Sequence, residues 1–523
     1  RHGMSDFSDV FGTNPGITLS ANRDTATNTL NQDGQGLPVL FRQTSRLGAP
    51  NNIPKTQQYP FTEVITGDLD IFDPNLQVPY SQSWTASIGR KLTRDIGIDV
   101  RYIGTRHLQD WIDYNYNEAN IVENGFLDEF RRAQQNLQVN IANGRGNSFA
   151  YTGLPGTSPL PIYLAYLNGS KDAANTAAYA GSAWTSTNWT NPLAIYNPNP
   201  FTPAGTSSTT GLDGDPTRRA NAANAGLPVN FFRANPDLQG GVFLTGNGGY
   251  TRYDGLQIEM RKRMSHGFQI DGSYVYGNSY TSSRYSLRRP RYKTLQTGTI
   301  GGVTHALKFN WIYELPFGEG RKFLNNNNGL LDRIFGGWEF DGLARIQSGR
   351  LLDFGNVRLV GMTADELRKS LKLQDYAVTG INPNASVARY LMPKDIVENT
   401  VRAFSTNATS ATGYGSLGAP TGRYLAPANG PDCIEIAPGS GDCGVRSLVI
   451  TGPTYMRWDL SAVKRVKLVG RTNFEFRAEM LNAFNHPNFA PVIAASSTAD
   501  NYRVTGVQEN SSRIVQLVFR LNF

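Results

Sequence analysis

Apolar and polar residues alternate along several segments of about ten residues each. Between residues 83 and 102, apolar side chains occupy nearly every second position on both sides of a polar turn at 91–95. The opposite positions carry polar side chains, including Asp99 and Arg101. The same alternation recurs at 256–261, 268–276, 307–315, 338–347, 474–480 and 513–523. A period of two residues predicts β-strands with one apolar and one polar face.

Alternation alone does not separate a soluble β-sandwich from a membrane barrel, because both have one apolar and one wet face. The segments are long, whereas strands of soluble proteins have about five or six residues. Aromatic residues lie near the segment ends, as membrane-interface girdles require: Trp84, Tyr102, Tyr274, Tyr276, Tyr313 and Trp338. We therefore predict an all-β fold, a transmembrane antiparallel outer-membrane β-barrel. A soluble, secreted β-rich binding protein is the alternative.

The connections between the predicted strands are either short or very long. Residues 91–95 and 263–267 are short turns, whereas 105–241 and 348–451 are long and rich in Asn, Gly, Pro, Ser and Thr. Barrels place such long connections on the outer side of the membrane, so we interpret them as extracellular loops. Two short helices are predicted within them, at 128–138 and at 363–373, where Thr363 and Glu366 have the spacing of a capping box.

Composition is consistent with a barrel. Charged residues make up 18% of the 523 residues, whereas soluble domains have about 25%. No apolar run reaches the roughly 18 residues of a membrane-spanning helix, and the mean hydropathy of −0.38 does not exclude a barrel, since only alternate residues face lipid. The net charge of +8 is spread along the chain, and its densest basic segment, 284–293, is too sparse to predict nucleic-acid binding.

The last segment, 513–523, has the strongest pattern. Phe519, Leu521 and Phe523 fall on one apolar face, and Arg520 falls on the other. An apolar strand with a terminal aromatic residue looks like the signal by which the barrel assembly machinery receives outer-membrane proteins. We expect these three residues to have that role.

Several local sequences resemble one family. They are PYSQSWTASIGR at 79–90, YDGLQIEMRKR at 253–263, YELPFG at 313–318, RTNFEFRAE at 471–479 and NAFNHPNF at 482–489. In this order they resemble the barrels of TonB-dependent receptors of the Oar-like type, found in acidobacteria and related bacteria. The resemblance extends from about residue 79 to 523.

The resemblance implies that residues 1–523 are the carboxy-terminal part of a barrel of about 22 strands around a plug. About 12–14 candidate strands can be counted in the sequence. A carboxypeptidase-regulatory-like domain, a plug domain and a signal peptide are not recognisable in this sequence and are expected upstream.

The resemblance also implies an outer-membrane transporter for uptake, or export, of a large or scarce substrate. Polar residues expected to face the lumen are Asp99, Arg101, Glu259, Arg261, Glu475, Arg477 and Glu479. Expected partners are outer-membrane lipid and lipopolysaccharide, a TonB-type energy-transducing protein reached through the missing N-terminal part, the barrel assembly machinery and a surface partner protein. An outer-membrane anchor or surface scaffold and a passive porin are the alternatives.

No set of residues predicts an enzyme. The five histidines have no metal-ligand spacing, and neither a nucleophile elbow nor a phosphate-binding loop is found. No metal or other cofactor is expected, except that Asp213 with Asp215, or Asp68 with Asp70, could hold Ca²⁺ in an outer loop. Solvated loop acids are the favoured interpretation of both pairs.

Two further loop features are candidates for specific roles. Cys433 and Cys443 lie in a Gly- and Pro-rich segment, which predicts a local disulfide in an oxidising compartment. Trp184, Trp189 and Tyr196 could stack on a sugar or aromatic ligand, although packing within the loop is the favoured alternative.

Overall fold

The computed structural model describes residues 68–186, 189–190, 212–213, 215–237, 240–282, 293–295, 303–325, 329–355, 357–427, 430–431, 433–434, 448–468, 472–490, 497–507 and 512–523. The strands in these ranges are β1 Asp68–Phe72, β2 Tyr80–Lys91, β3 Ile96–Asn115, β4 Gly241–Ser265, β5 Phe268–Ser282, β6 Lys293–Leu295, β7 His305–Glu314, β8 Trp338–Gln347, β9 Leu351–Asp353, β10 Val357–Val360, β11 Gln374–Tyr376, β12 Ala388–Tyr390, β13 Tyr424–Pro427, β14 Val449–Thr451, β15 Tyr455–Lys467, β16 Asn473–Leu481, β17 Phe489–Ala490, β18 Gly506–Val507 and β19 Ile514–Asn522. The helices are α1 Phe126–Ala142, α2 Pro161–Asn168, α3 Pro216–Asn224, α4 Gly329–Phe335, α5 Ala364–Ser370 and α6 Lys394–Phe404, with 3₁₀ turns at Thr176–Ala178, Ser182–Thr185 and Ala499–Tyr502.

Nine strands form one antiparallel sheet, which we call the wall. Their order is β2, β3, β4, β5, β7, β8, β15, β16 and β19, and β2 and β19 are its edges within the described residues. The short strand β1 runs parallel to β4, and β6 pairs with β5. Every segment with alternating polarity forms a wall strand, so this part of the prediction is confirmed. The additional strands of the 12–14 counted from the sequence stay a prediction.

The register of the wall separates its two faces. One cross-strand row contains only polar residues: Asp99, Glu259, Ser273, Lys308, Arg345 and Arg457. The adjacent row on the opposite face is apolar: Ile88, Val100, Ile258, Tyr274, Leu307, Ile346 and Met456. We call these surfaces the polar face and the apolar face. The period of two in each strand thus continues across the whole wall.

The connections are distributed asymmetrically between the two ends of the wall. Residues 92–95, 266–267, 315–337 and 468–472 connect strands at one end, which we call the short-turn end. Residues 116–240, 283–304, 348–454 and 482–513 connect strands at the other, the long-connection end. Apart from 315–337, which is as long as 283–304, this is the arrangement of short inner turns and long outer loops found in outer-membrane barrels.

Two of the long connections fold around hydrophobic cores of their own. The first cap, the described residues of 116–240, contains α1, α2 and α3 packed around aromatic residues such as Phe126, Tyr163 and Trp184. The second cap, the described residues of 348–454 together with 497–507, packs α5 and α6 against short strand pairs. The side-chain amide of Gln138 in α1 donates hydrogen bonds to the carbonyls of Ala408 and Ser410, and so joins the two caps.

Both helices predicted in the long connections are present. Helix α1 spans the predicted segment 128–138 and extends beyond it at both ends. Helix α5 begins after Thr363, whose hydroxyl accepts a hydrogen bond from the Glu366 N–H while the Glu366 carboxylate accepts one from the Thr363 N–H, which is the predicted capping box. None of the helices in the described residues is long and apolar enough to cross a membrane.

Candidate functional site

A chain of ion pairs crosses three strands of the polar face near the short-turn end. Arg465 on β15 binds Glu339 on β8 at 2.8 Å and Glu475 on β16 at 3.1 Å. Arg477 then binds Glu475 at 3.2 Å and Glu479 at 3.3 Å. Three predicted lumen-facing residues therefore come together, and they alternate in charge. Such a chain ties the strands together and presents both signs of charge along this face.

Three of the other predicted lumen residues line one cavity. Asp99, Glu259 and Arg261 surround a space of about 730 Å³ at the short-turn end of the polar face. Arg261 contacts Asp271 at 3.4 Å. Arg101 lies on the same face, one row further from the short-turn end, opposite Gln257. All seven predicted lumen-facing residues thus lie on the polar face. They form two separate groups, and Arg101 belongs to neither of them.

Two polar atoms between these groups have no partner among the described residues. Asp341 Oδ1 and Ser461 Oγ are buried without a hydrogen bond, and the two residues are direct cross-strand neighbours. The Arg477 Nε in the adjacent row is buried and unpaired as well. Because a buried polar atom without a partner costs free energy, this region is suited to a further group that binds there.

The apolar face is continuous with the carboxy-terminal strand. Phe519 packs its ring against Phe476 at a centroid distance of 5.1 Å. Leu521 and Phe523 follow on the same face, and Phe523 is 98% exposed. The three residues of the predicted assembly signal therefore form an exposed apolar row at the short-turn end of β19.

Two of the three predicted ligand-binding aromatic residues, Trp184 and Trp189, lie in the core of the first cap. Trp184 is 1% exposed and contacts the ring of Phe149, and its Nε1 donates to Asn168 Oδ1 at 2.9 Å. Trp189 is also buried, with the guanidinium of Arg218 above its ring at 5.0 Å. This placement fits the alternative of packing within the loop. Tyr196 lies outside the described residues, and a role in ligand contact stays a prediction.

Two carboxylates of the first cap, Glu129 and Asp213, are almost completely buried. Glu129 Oε1 accepts a hydrogen bond from the Tyr163 N–H at 2.7 Å at the start of α2. Its Oε2 is buried without a hydrogen bond in the described part of the chain, and its ion-pair partner is Arg132 at 3.8 Å. Burial raises the pKa of Glu129 to about 7, against hydrogen bonds and the charge of Arg132. Burial likewise raises the pKa of Asp213 to about 7, although Arg219, at 3.0 Å, lowers it.

The four acids considered for Ca²⁺ are placed in different surroundings. Asp213 is paired with Arg219 and accepts a hydrogen bond from the Tyr166 hydroxyl. Asp215 caps α3 by accepting a hydrogen bond from the Arg218 N–H at 3.0 Å. Asp68 and Asp70 lie in β1 alongside β4. No cluster of three or more potential metal ligands exists in the part of the chain that the structure describes, and Ca²⁺ binding stays untested.

The disulfide also stays a prediction. Cys433 is buried, and its backbone exchanges hydrogen bonds with Gly430 across a tight turn. Cys443 lies outside the described residues.

The sequence pattern did not identify Arg465, the centre of the ion-pair chain. Its strand, β15, carries Val463 on the polar face and Lys464 on the apolar face, which inverts the alternation at one point. The only signal in the sequence was the polar residue at every second position from Arg457 to Ser461.

Comparison with known proteins agrees with this geometry. The family model described as outer membrane beta barrel domain matches residues 2–157 and 169–516. Among solved structures, the chain is similar to the outer membrane transporter YddB from Escherichia coli, with 8% identity, a TM-score of 0.25, and coverage of 87% of this chain and 34% of that one. It is also similar to the FrpB iron transporter from Neisseria meningitidis (F3-3 variant), with 8% identity, a TM-score of 0.26, and coverage of 86% and 32%.

The match therefore spans about a third of each of these two transporters. No curated protein matches the sequence. Because the family model covers most of the 523 residues, the apolar face of the wall is assigned to membrane lipid, and the chain belongs to the outer membrane beta-barrel domain family of the bacterial outer membrane.

Proposed function

We propose that this chain forms the barrel wall and the outer caps of a TonB-dependent transporter. The transporter takes up, or exports, a large or scarce solute. The observation that carries the proposal is the polar face near the short-turn end. Its ion-pair chain leaves Asp341 Oδ1 and Ser461 Oγ buried without partners among the described residues. A plug domain from another part of the protein would supply those partners and would occupy the interior of the barrel.

The long-connection end supports a role in binding solutes from outside the cell. Both caps have hydrophobic cores and are joined through Gln138. Folded caps of this kind hold a binding surface in a fixed shape, which free loops would not do. The subtype resemblance in the sequence, Oar-like, favours the same function.

The wall needs further strands in this proposal. In lipid, each backbone N–H and C=O must have a partner, so an open sheet edge is not stable there. Strands in addition to these nine would pair with β2 and β19 and close the barrel. Lipopolysaccharide would contact the apolar face at the long-connection end.

Two candidates from other functional classes remain. A surface scaffold is favoured by the compact caps, which could bind a partner protein without any transport. A passive porin would need an open lumen and is favoured only by the polar lining. We propose no enzymatic activity.

The deciding experiment uses the full-length protein in planar lipid bilayers and in pull-downs. A plugged transporter gives no steady conductance, and it binds the periplasmic domain of the TonB-type protein from the same organism. Steady conductance would indicate a porin instead. No conductance together with no TonB binding would indicate a scaffold.

Paired variants test whether the polar face holds a plug. Replacing both Arg465→Gln and Arg477→Gln should loosen the plug and produce leak conductance. Arg333→Gln is the matched control, since it removes a charge at the same end on the exposed surface of α4. If neither the double variant nor the control produced leak conductance, the proposed plug contact would be contradicted.

The exposed row Phe519, Leu521 and Phe523 supports the proposal that the barrel assembly machinery receives this strand. Replacing Phe523→Ala should reduce the amount of heat-modifiable, folded barrel in outer membranes. Normal amounts of folded barrel would argue against this role.

A further inference from the structure

A second cavity, of about 870 Å³, lies between the wall and the second cap. On the wall side it is lined by polar-face residues at the long-connection ends of β8 and β15, including Arg345 and Arg457. On the cap side it is lined by leucines, including Leu352, Leu371 and Leu391. This volume is in the range of small-molecule sites, and the cavity has one charged wall and one apolar wall.

The charges that line this cavity are all positive among the described residues. Arg345, Arg350, Lys372 and Arg457 line it, and no described Asp or Glu does. Arg457 is neutralised by Asp459 at 2.9 Å. The other three have no ion pair within the described residues, although Arg345 donates to Gln347 at 2.7 Å and lies over the Tyr455 ring. Three positive charges around one cavity attract an anion.

A histidine of the turn at 482–488 adds a polar atom to the same cavity. His486 lines it, and the His486 Nδ1 is buried without a hydrogen-bond partner in the described ranges. The turn that carries it is fixed to β15, because the Asn482 N–H donates to Asp459 Oδ1 at 2.7 Å. Asn488 donates to the Met456 carbonyl and accepts from the Met456 N–H. The segment NAFNHPNF therefore holds His486 at the cavity that Arg457 also lines.

We infer that this cavity binds a small amphiphilic anion, a carboxylate or phosphate ester attached to an aromatic or branched apolar group. Arg345, Arg350 and Lys372 contact the anionic group, and His486 Nδ1 forms a hydrogen bond with it. The leucines of the second cap contact the apolar group. Arginine and lysine bind such anions through charge-assisted hydrogen bonds, and a buried apolar part adds affinity.

A membrane lipid does not fit this site as well as a dissolved solute. Arg345 and Arg457 point from the polar face, whereas lipid contacts the opposite, apolar face. The site lies at the long-connection end, where a solute from outside first reaches the wall. Binding of the anion in this cavity does not depend on the proposed function. Only the statement that this anion is the class of solute transported rests on the proposed function.

The test is a binding titration of the full-length protein in phosphatidylcholine nanodiscs, with empty nanodiscs as the blank. The probes are 1-naphthyl phosphate, inorganic phosphate and uncharged 1-naphthol. We expect saturable 1:1 binding of naphthyl phosphate, and at least tenfold weaker binding of each of the other two. Equal affinity for naphthol, or no saturable binding, would overturn the inference.

Variants then locate the site. Arg350→Gln combined with Lys372→Gln should weaken naphthyl phosphate at least tenfold, and His486→Ala should weaken it about tenfold. Lys369→Gln is the matched control, because it removes the same charge from an exposed position of the same cap outside the cavity. Unchanged affinity in both cavity variants would overturn the inference. Anion binding without TonB binding or transport would contradict the proposed function and leave the site standing.

A competition measurement tests whether a membrane lipid, and not a dissolved solute, supplies the anion. Phosphatidylglycerol in the nanodisc should not compete with naphthyl phosphate if the site takes dissolved solutes. Competition by the anionic lipid would overturn that assignment.

Discussion

The side-chain amide of Asn482 forms two hydrogen bonds with the backbone of His486. Its Nδ2 donates to the His486 carbonyl at 3.0 Å, and its Oδ1 accepts from the His486 N–H at 3.0 Å. Asn482 and Asn485 both have positive φ, at 48° and 51°, a conformation that asparagine tolerates better than most residues. One side chain thus satisfies both backbone groups of His486 and fixes the turn.

Replacing Asn482→Ala should loosen this turn. Two hydrogen bonds are lost and the partly buried N–H and C=O of His486 are left without these partners, at a cost of about 1–3 kcal/mol. Hydrogen–deuterium exchange of residues 482–488 should increase, together with that of Met456. Asn384→Ala is the control, since Asn384 is exposed in a turn of the second cap and its side chain makes no hydrogen bond to the described residues. Equal exchange in both variants would contradict the bracing role.

Gly342 is required by an aromatic neighbour on the apolar face. A Cβ at this position would overlap the ring of Trp311, its direct cross-strand partner. Gly342→Ala should therefore destabilise the wall by about 1–3 kcal/mol through overpacking. Gly97→Ala is the matched control, because a Cβ at Gly97 meets no atom of the described residues within 4 Å.

The measurement for this pair is the midpoint of urea unfolding of the barrel, followed by heat-modifiable gel mobility. Gly97→Ala should leave the midpoint unchanged or raise it slightly, since alanine restricts the unfolded chain. A midpoint for Gly342→Ala equal to that of Gly97→Ala would show that the Trp311 ring moves aside without cost.

The stability of the first cap should fall as the pH rises from about 4.5 to 7. Burial raises the pKa of Glu129 to about 7, so the folded cap binds more protons than the unfolded chain in this window. The stabilisation is fully present below the unfolded pKa and is lost as the pH passes through the folded one. Glu129 contributes about 3 kcal/mol to this change, and Asp213, whose pKa burial also raises to about 7, adds to it.

Glu129→Gln should remove the part of this pH dependence that Glu129 contributes and leave the part that the buried Asp213 carboxyl contributes. The pH dependence of cap stability is measured between pH 5 and 8 by amide hydrogen exchange of α1 and α2, corrected for intrinsic exchange rates. Asp128→Asn is the control, because Asp128 is the exposed neighbour in the same helix turn. A wild-type cap whose protection stays constant over this range would contradict the raised pKa.

The predicted disulfide gives a simple chemical test. If Cys433 and Cys443 are bonded, the protein unfolded without reductant should take up no iodoacetamide. After reduction it should take up two equivalents. Two equivalents without reduction would show free thiols. Cys443→Ser should then destabilise the second cap, since a closed loop of this size contributes about 2–4 kcal/mol.

The sequence predicted the wall strands other than β15, because each of them carries its own alternation of polar and apolar residues. Such alternation marks a strand without knowledge of its neighbours in the sheet. The alternation in strand β15 breaks at Lys464, which lies on the apolar face. Its Nζ donates to the carbonyls of Ile334 and Gly336 and lies over the Trp338 ring, so a charged residue is accommodated near the membrane surface.

The caps and the second cavity were not predictable in the same way. Their contacts join residues far apart in the chain, such as Glu129 with Tyr163 or Arg345 with Tyr455. No local period reports such contacts, because they depend on how the connections fold back over the wall. The capping box at Thr363 was predictable, since its two partners are three residues apart.

The asymmetry of the connections has a consequence for how such proteins diversify. The first cap leaves the wall after β3 and returns in β4, its adjacent strand, and adjacent strands are about 4.8 Å apart. An insertion with neighbouring ends can be lengthened, shortened or exchanged without shifting the register of the wall. The caps therefore behave as modules, which can change in length and sequence while the membrane-spanning part keeps its sequence pattern.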